Sequence, residues 1–258
     1  MSRRIAYLVV EGPHDVAFTQ AILKSRTDLR VVEQIADLES SVNKLVPKAF
    51  PFAGNLLRRV PVPIFMQNEK LVVVIHPAGG ESIIASTIKD SVTIIPEASI
   101  LSIGVVLDSD SKKSFAKRES DFLAELDELD IGFPRKAGEI SVAPLRTGFY
   151  ILPDNKSAGT LEDILLESGV ENYNHLLLEA KKFVDSVSPH CTGREYKDIK
   201  APAGVNKAIV GAVTSILKPG KSVQVSIQDN KWVTTKQPVK SVVDFTNFLL
   251  GLLTLDQV

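Results

Sequence analysis

Cysteine is nearly absent: Cys191 is the single one in 258 residues, which excludes an intramolecular disulfide and any multi-cysteine metal centre. That usage fits a reducing compartment, and we expect a cytoplasmic protein. Histidine is scarce too. His14, His76, His175 and His190 share no HxxxH-type spacing, so a histidine-based zinc site is unsupported. No apolar run approaches the roughly 18–20 residues that span a membrane, and the short run Ile5–Val10 is ended by Glu11, too soon for a signal-peptide core. A soluble chain with no membrane partner is expected. Excess charge is lacking as well: 30 basic residues face 31 acidic ones, for a net charge of -1. Any affinity for nucleic acid must therefore come from local clustering. Glycine-rich nucleotide loops are missing, and Cys191 beside His190 has no orienting partner at recognisable spacing, so it reads as a structural thiol.

What is present is an alternation of apolar strands and amphipathic helices. RIAYLVV (4–10) has the composition of a strand buried on both faces. Gly12 and Pro13 break it and open a helix carrying Val16, Phe18, Ile22 and Leu23. A short strand is expected within 29–36. LVVVIHP (71–77) is a second buried strand; Gly79-Gly80 then turns into a helix carrying Ile83, Ile84 and Ile88, closed by Pro96. ILSIGVVLDSD (100–110) is the strongest buried strand, and a charged helix over roughly 112–130 follows it. Shorter strands are expected near 139–144 and 147–152, then helices over 161–168, 171–187, 203–217 and 241–254, with a short hairpin around 222–234. This order implies an α/β fold with a mainly parallel sheet flanked by helices and a mostly helical C-terminal part. Residues 37–68 carry Pro47, Pro51, Pro61 and Pro63 and read as an insertion whose apolar residues pack on the core. We divide the chain into an α/β domain, 1–168, and a helical extension, 169–258, packed on it.

Open parallel sheets bind ligands beyond the carboxyl ends of their strands. Two of the buried strands end in acid here: Glu11 follows YLVV, and Asp108 and Asp110 follow GVVL. Side chains two apart on a strand share a face, so Asp108 and Asp110 point the same way. Three carboxylates at one rim repel unless a cation or protons intervene, and oxygen-only donors suit magnesium or manganese. The alternative is that strand ends simply carry solvated acids; a lone DxD does not decide between the two.

VVEGPHD (9–15) and VVLDSDS (105–111), with the Gly79-Gly80 turn between them, resemble the two signature motifs of the Toprim domain. The likeness is nearest to the overcoming-lysogenization-defect (OLD) family of nucleases and to a family of small stand-alone Toprim-like proteins. It extends to ILPDNKSAGTLEDILL (151–166) and covers about residues 4–168 with gaps. The resemblance implies a Toprim-like, Rossmann-like fold and two-metal phosphodiester cleavage with Mg2+ or Mn2+. It makes Glu11 a metal ligand and acid/base, Asp108 and Asp110 the acidic pair, Asp15 a second acid and Glu162 a later acidic ligand. A lysine further on, Lys207 or alternatively Lys200, would stabilise charge on the phosphorus oxygens. The topoisomerase-like pattern has a third alternating acid where this chain has Lys112, a departure that OLD-type sites tolerate.

The resemblance implies nucleic acid as substrate, without choosing DNA or RNA, and leaves room for a partner ATPase or a homo-oligomer. A non-catalytic metal- or nucleotide-binding module is the second hypothesis. The third is a haloacid-dehalogenase-type phosphohydrolase with Asp108 as nucleophile, which leaves VVEGPHD unexplained. Around the motifs, Lys112, Lys113, Lys117 and Arg118 read as either a phosphate-contacting edge or a solvated helix face, the latter being the commoner use of such a run. Arg58-Arg59 read as an exposed loop, His14 as a substrate contact or a turn cap, and Gly79-Gly80 as a phosphate approach or a tight turn.

Overall fold

The run RIAYLVV has no polar face to give to solvent, and in the computed structural model it is the central strand of a seven-stranded sheet, β1 (Arg4–Val10). The structure describes residues 3–48, 56, 62–109, 114–143, 145–233 and 236–256. The other strands are β2 (Arg30–Val31), β3 (Ile64–Gln67), β4 (Leu71–Pro77), β5 (Ile100–Asp108), β6 (Ile140–Ser141) and β7 (Arg146–Leu152). Their order is β2-β3-β4-β1-β5-β7-β6. The four inner strands β4, β1, β5 and β7 are parallel, and the outer β2, β3 and β6 pair antiparallel.

Alternate residues of each inner strand enter two different cores. Ala6, Leu8 and Val10 of β1 face one side together with Val73, Ile75, Val106 and Tyr150, where α1 (Pro13–Arg26) and α9 (Lys240–Leu253) pack. Ile5, Tyr7 and Val9 face the other, under α2 (Ile84–Val92) and α3 (Phe115–Asp127). Burial on both sides is why these strands are continuously apolar rather than alternating. The remaining helices are α4 (Leu161–Ser168), α5 (Val170–Val187), α6 (Gly193–Ile199), α7 (Gly204–Leu217) and α8 (Val223–Asp229). Those from α4 onward join the α1 side, so the C-terminal part shares one core with the sheet through Trp232, Phe245 and Leu249. No helix among the described residues is long and apolar enough to cross a membrane.

Three details depart from the sequence expectations. The 222–234 hairpin is instead the helix α8. Its Val223, Val225 and Ile227 alternate like a strand, but Ser222 caps the Val225 N–H, and Ser226 and Ile227 are buried on the helical face. Gln228 reaches Gln20 of α1 at 2.7 Å, so packing against α1 overrides the alternation. The stretch 37–68 ends not in irregular chain but in β3, which hydrogen-bonds β4. Its earlier part does pack on the core, through Val42 and Leu45 of a 3-10 segment. The strand expected within 29–36 shrinks to Arg30–Val31.

Candidate functional site

β1 sits at the centre of the parallel strands, with β4 on one side and β5 on the other. The chain thus runs outward from β1 to β4 and returns across it to β5, which opens a crevice at the carboxyl ends of these strands. Glu11 directly follows β1 and Asp108 is the last residue of β5, so both stand at that rim. Pro13 occupies the first turn of α1, and Asp15 accepts the Gly12 N–H at 2.8 Å, which fixes its carboxylate against the strand end. Across the crevice, the N-terminus of α4 brings the Leu161 N–H to Asp108 Oδ1 at 2.9 Å. It also buries Glu162, whose Oε2 accepts from the Thr160 hydroxyl at 3.0 Å. Asn206 bonds Asp163 at 2.8 Å and so ties the start of α7, with Lys207, to α4.

Together these elements enclose a pocket of about 320 Å³ lined by Glu11, His14, Asp15, Asp108, Glu162 and Lys207. The expected site residues Glu11, Asp15, Asp108, Glu162 and Lys207 thus meet in one place, with His14 beside them. Asp110 lies outside the described residues, as do Lys112, Lys113, Arg58 and Arg59. Lys200, the alternative to Lys207, ends α6 and lies over the Tyr196 ring instead.

Burial first, and then the crowding of like charges, governs the protonation of the site. Burial, then the neighbouring Glu11 and Glu162 carboxylates, push Asp15 up to about 7 against the pull of the Gly12 N–H and of His14. Burial and the charges of Asp15, Glu11 and Glu162 likewise raise Asp108 well above the usual carboxylate range, with the Leu161 N–H opposing. Glu162 differs. Burial would raise it, yet His14, Lys207 and Thr160 outweigh that and hold it below its ordinary value. His14 Nδ1 lies 3.6 Å from Glu162 Oε1, so its contact is to a carboxylate at the rim. Among the described residues no three His, Cys, Asp or Glu side chains are gathered as a ready-made metal cage. The donor set is nevertheless all oxygen, which suits a hard cation.

Two residues at the rim, Arg118 and Glu81, do not stand out in the sequence. Arg118 reads there as part of an exposed basic edge, but it is buried: Phe115, Arg118, Phe122 and Leu126 share one helical face, and that spacing is the available signal. Its Nε donates to the Asp108 carbonyl at 2.9 Å, its Nη1 pairs with Glu81, and its Nη2 lies 3.9 Å from Glu11 Oε2. Lys117, one residue earlier, is exposed and pairs with Asp121. Glu81 follows the Gly79-Gly80 turn, whose N–H groups both donate to the Glu11 carbonyl, at 3.0 and 3.1 Å. Gly79 and Gly80 have φ of +86° and +141°, and a Cβ at either position would meet nothing within 4 Å. Backbone conformation rather than crowding therefore selects glycine there. Of the remaining histidines, His76 bonds the buried Tyr7 hydroxyl at 2.6 Å, and burial lowers it to about 4, away from the pocket.

No curated protein matches the chain. The crystal structure of hypothetical protein PH0156 from Pyrococcus horikoshii OT3 is similar over 97% of this chain and 94% of that one, with a TM-score of 0.51 and 17% identity. At that identity the likeness bears on the fold, a mainly parallel α/β sheet with helices on both faces. The family described as protein of unknown function DUF3226 matches residues 5–253, almost the whole sequence, and the chain belongs to that family.

Proposed function

We propose that the crevice pocket binds Mg2+ or Mn2+ and that the protein is a Toprim-like metal-dependent nuclease or phosphotransferase acting on nucleic acid phosphodiesters. The observation that carries this reading is the convergence, at the carboxyl ends of parallel strands, of Glu11, Asp15, Asp108 and Glu162 with Lys207 on one pocket. These residues come from four separate segments, and nothing in core packing requires four acids to meet. Glu11, Asp15 and Asp108 would hold the ion, with Glu162 on the far wall. When bound, such an ion supplies a polarised phosphoryl oxygen and a more acidic water. The chain's own groups do the rest. Asp108 gives one oxygen to the Leu161 N–H and is thereby oriented as a fixed ligand. Lys207 offers an ammonium opposite the acids, where negative charge grows on phosphorus oxygens. Glu11, whose Oε2 accepts from the Asp108 N–H at 3.4 Å and faces Arg118, would serve as the acid/base.

A second reading, a non-catalytic metal- or nucleotide-binding module, is favoured by the pocket's charge: among its lining residues Lys207 is the one lysine or arginine. Cleavage of supercoiled plasmid, single-stranded DNA and structured RNA with Mg2+ or Mn2+ separates the two. The nuclease reading expects metal-dependent cleavage of at least one substrate, reduced about 100-fold or more by Asp108→Asn, the scale on which loss of a catalytic group acts. Metal binding without cleavage of any substrate would transfer the assignment to the binding module.

A further inference from the structure

The guanidinium of Arg118 is the one buried arginine among the described residues, and it is shared among three elements that frame the crevice. Nε holds the end of β5 through the Asp108 carbonyl, Nη1 pairs with Glu81 beyond the β4 turn, and Nη2 faces Glu11 after β1. Glu81 does not line the pocket, whereas Glu11 does. The two carboxylates therefore draw on one positive charge through different nitrogens, Glu11 inside the pocket lining and Glu81 outside it. The carbonyl bond anchors the guanidinium, so the arginine cannot withdraw from the rim without leaving the Asp108 carbonyl unpaired.

From this arrangement we infer that Arg118 is a built-in counter-ion competing with a divalent cation for Glu11, and that Glu81 sets the metal affinity by drawing the guanidinium away from Glu11. The inference rests on the metal-site reading above and adds two residues to it, neither of which touches the metal. Arg118 is a positioning residue: it steadies the strand ends and Glu11, while its charge would oppose a cation held by Glu11. Glu81 offsets part of that opposition. With Glu81 paired to Arg118, Glu11 is freer to serve the pocket. Without it, more of the arginine's charge falls on Glu11, with Glu125 and Asp121 acting on the guanidinium from its own helix.

The two residues consequently act with opposite sign, which a merely structural brace would not do. Calorimetric titration of Mn2+ into the full-length chain reads this directly. Arg118→Gln removes the opposing charge and should bind Mn2+ at least about tenfold tighter, the scale of a unit charge acting through water-like screening over a few ångströms. Glu81→Gln, at a partly exposed position, should bind it several-fold more weakly. If the wild type binds Mn2+ and both variants match it, Arg118 is only a brace and the inference fails while the metal site stands. The same holds if the two variants shift in the same direction. If the wild type itself takes up no Mn2+, the metal-site reading fails and this one with it. Should Arg118→Gln not fold, Glu81→Gln decides alone: weaker binding supports the competition, and unchanged or tighter binding overturns it.

Discussion

Asp15 carries the plainest consequence at the scale of single residues. Its carboxyl is buried among other acids and titrates near 7 in the folded protein, far above an Asp in an unfolded chain. Between about pH 4 and pH 7 the folded state keeps this proton while the unfolded state has released it. Asp15 should accordingly make the metal-free protein less stable as pH rises through that window, a contribution of up to about 4 kcal/mol that levels off above it. Thermal unfolding in the presence of a chelator, from about pH 4.5 to 8, measures the slope, and Asp15→Asn should make it shallower, Asp108 contributing with the same sign. Mg2+ should raise the melting temperature more at pH 8 than at pH 5, because only the ionised acids bind it. Glu162 contributes the opposite slope at lower pH, since His14, Lys207 and Thr160 hold its pKa down. Protein that grew steadily more stable from pH 5 to 7 without metal would contradict the crowding of acids described here.

At the scale of elements, one close approach decides how the C-terminal part meets the sheet. A Cβ on Gly104, in the middle of β5, would stand 2.4 Å from Leu252 of α9 and 2.7 Å from Leu8 of β1. α9 can lie on the sheet there because the strand presents no side chain. Gly104→Ala should therefore destabilise the fold by about 1–3 kcal/mol through overpacking, as chemical denaturation would report. Leu252 is a side chain rather than backbone and can give somewhat, which places the expected loss toward the lower end. An unchanged denaturation midpoint would mean that α9 does not seat as closely as described.

Legibility of the elements from sequence follows the same physics. β1, β4 and β5 are plain because strands buried on both faces must be apolar throughout, and α1 is plain because Gly12-Pro13 punctuates its start. β3 is not: four residues after Pro61 and Pro63 carry too little pattern to separate a strand from an apolar loop. α8 reads as a hairpin because its β-branched residues alternate with polar ones, and only its contact with α1 selects helix. α6, GREYKDI, has no buried face and so no periodicity to detect. The candidate site is legible in part. Glu11 and Asp108 follow from strand ends alone, and Asp15, Glu162 and Lys207 follow from the Toprim resemblance. Arg118 is hidden by its charge, although its spacing in α3 matches the buried stripe.

For the whole molecule, the sheet, the flanking helices and the C-terminal helices act as a frame that delivers residues from opposite ends of the chain to one rim. α4 sits across the ends of β1 and β5, and α7 is tied to α4 by Asn206 and Asp163. Lys207 thus reaches the pocket only because the helical C-terminal part shares the core of the sheet. Membership in a family matching residues 5–253 is consistent with a single architecture running through both parts. With a net charge of -1, affinity for a phosphodiester would have to come from positive charge supplied locally, by Lys207 and by a bound cation in the proposed reading. The most direct test is an anomalous difference map from crystals of the full chain grown with Mn2+. A manganese peak is expected within the pocket bounded by Glu11, Asp15 and Asp108, and none in Asp108→Asn crystals. A map without manganese there, or with manganese only at other surface acids, would contradict it.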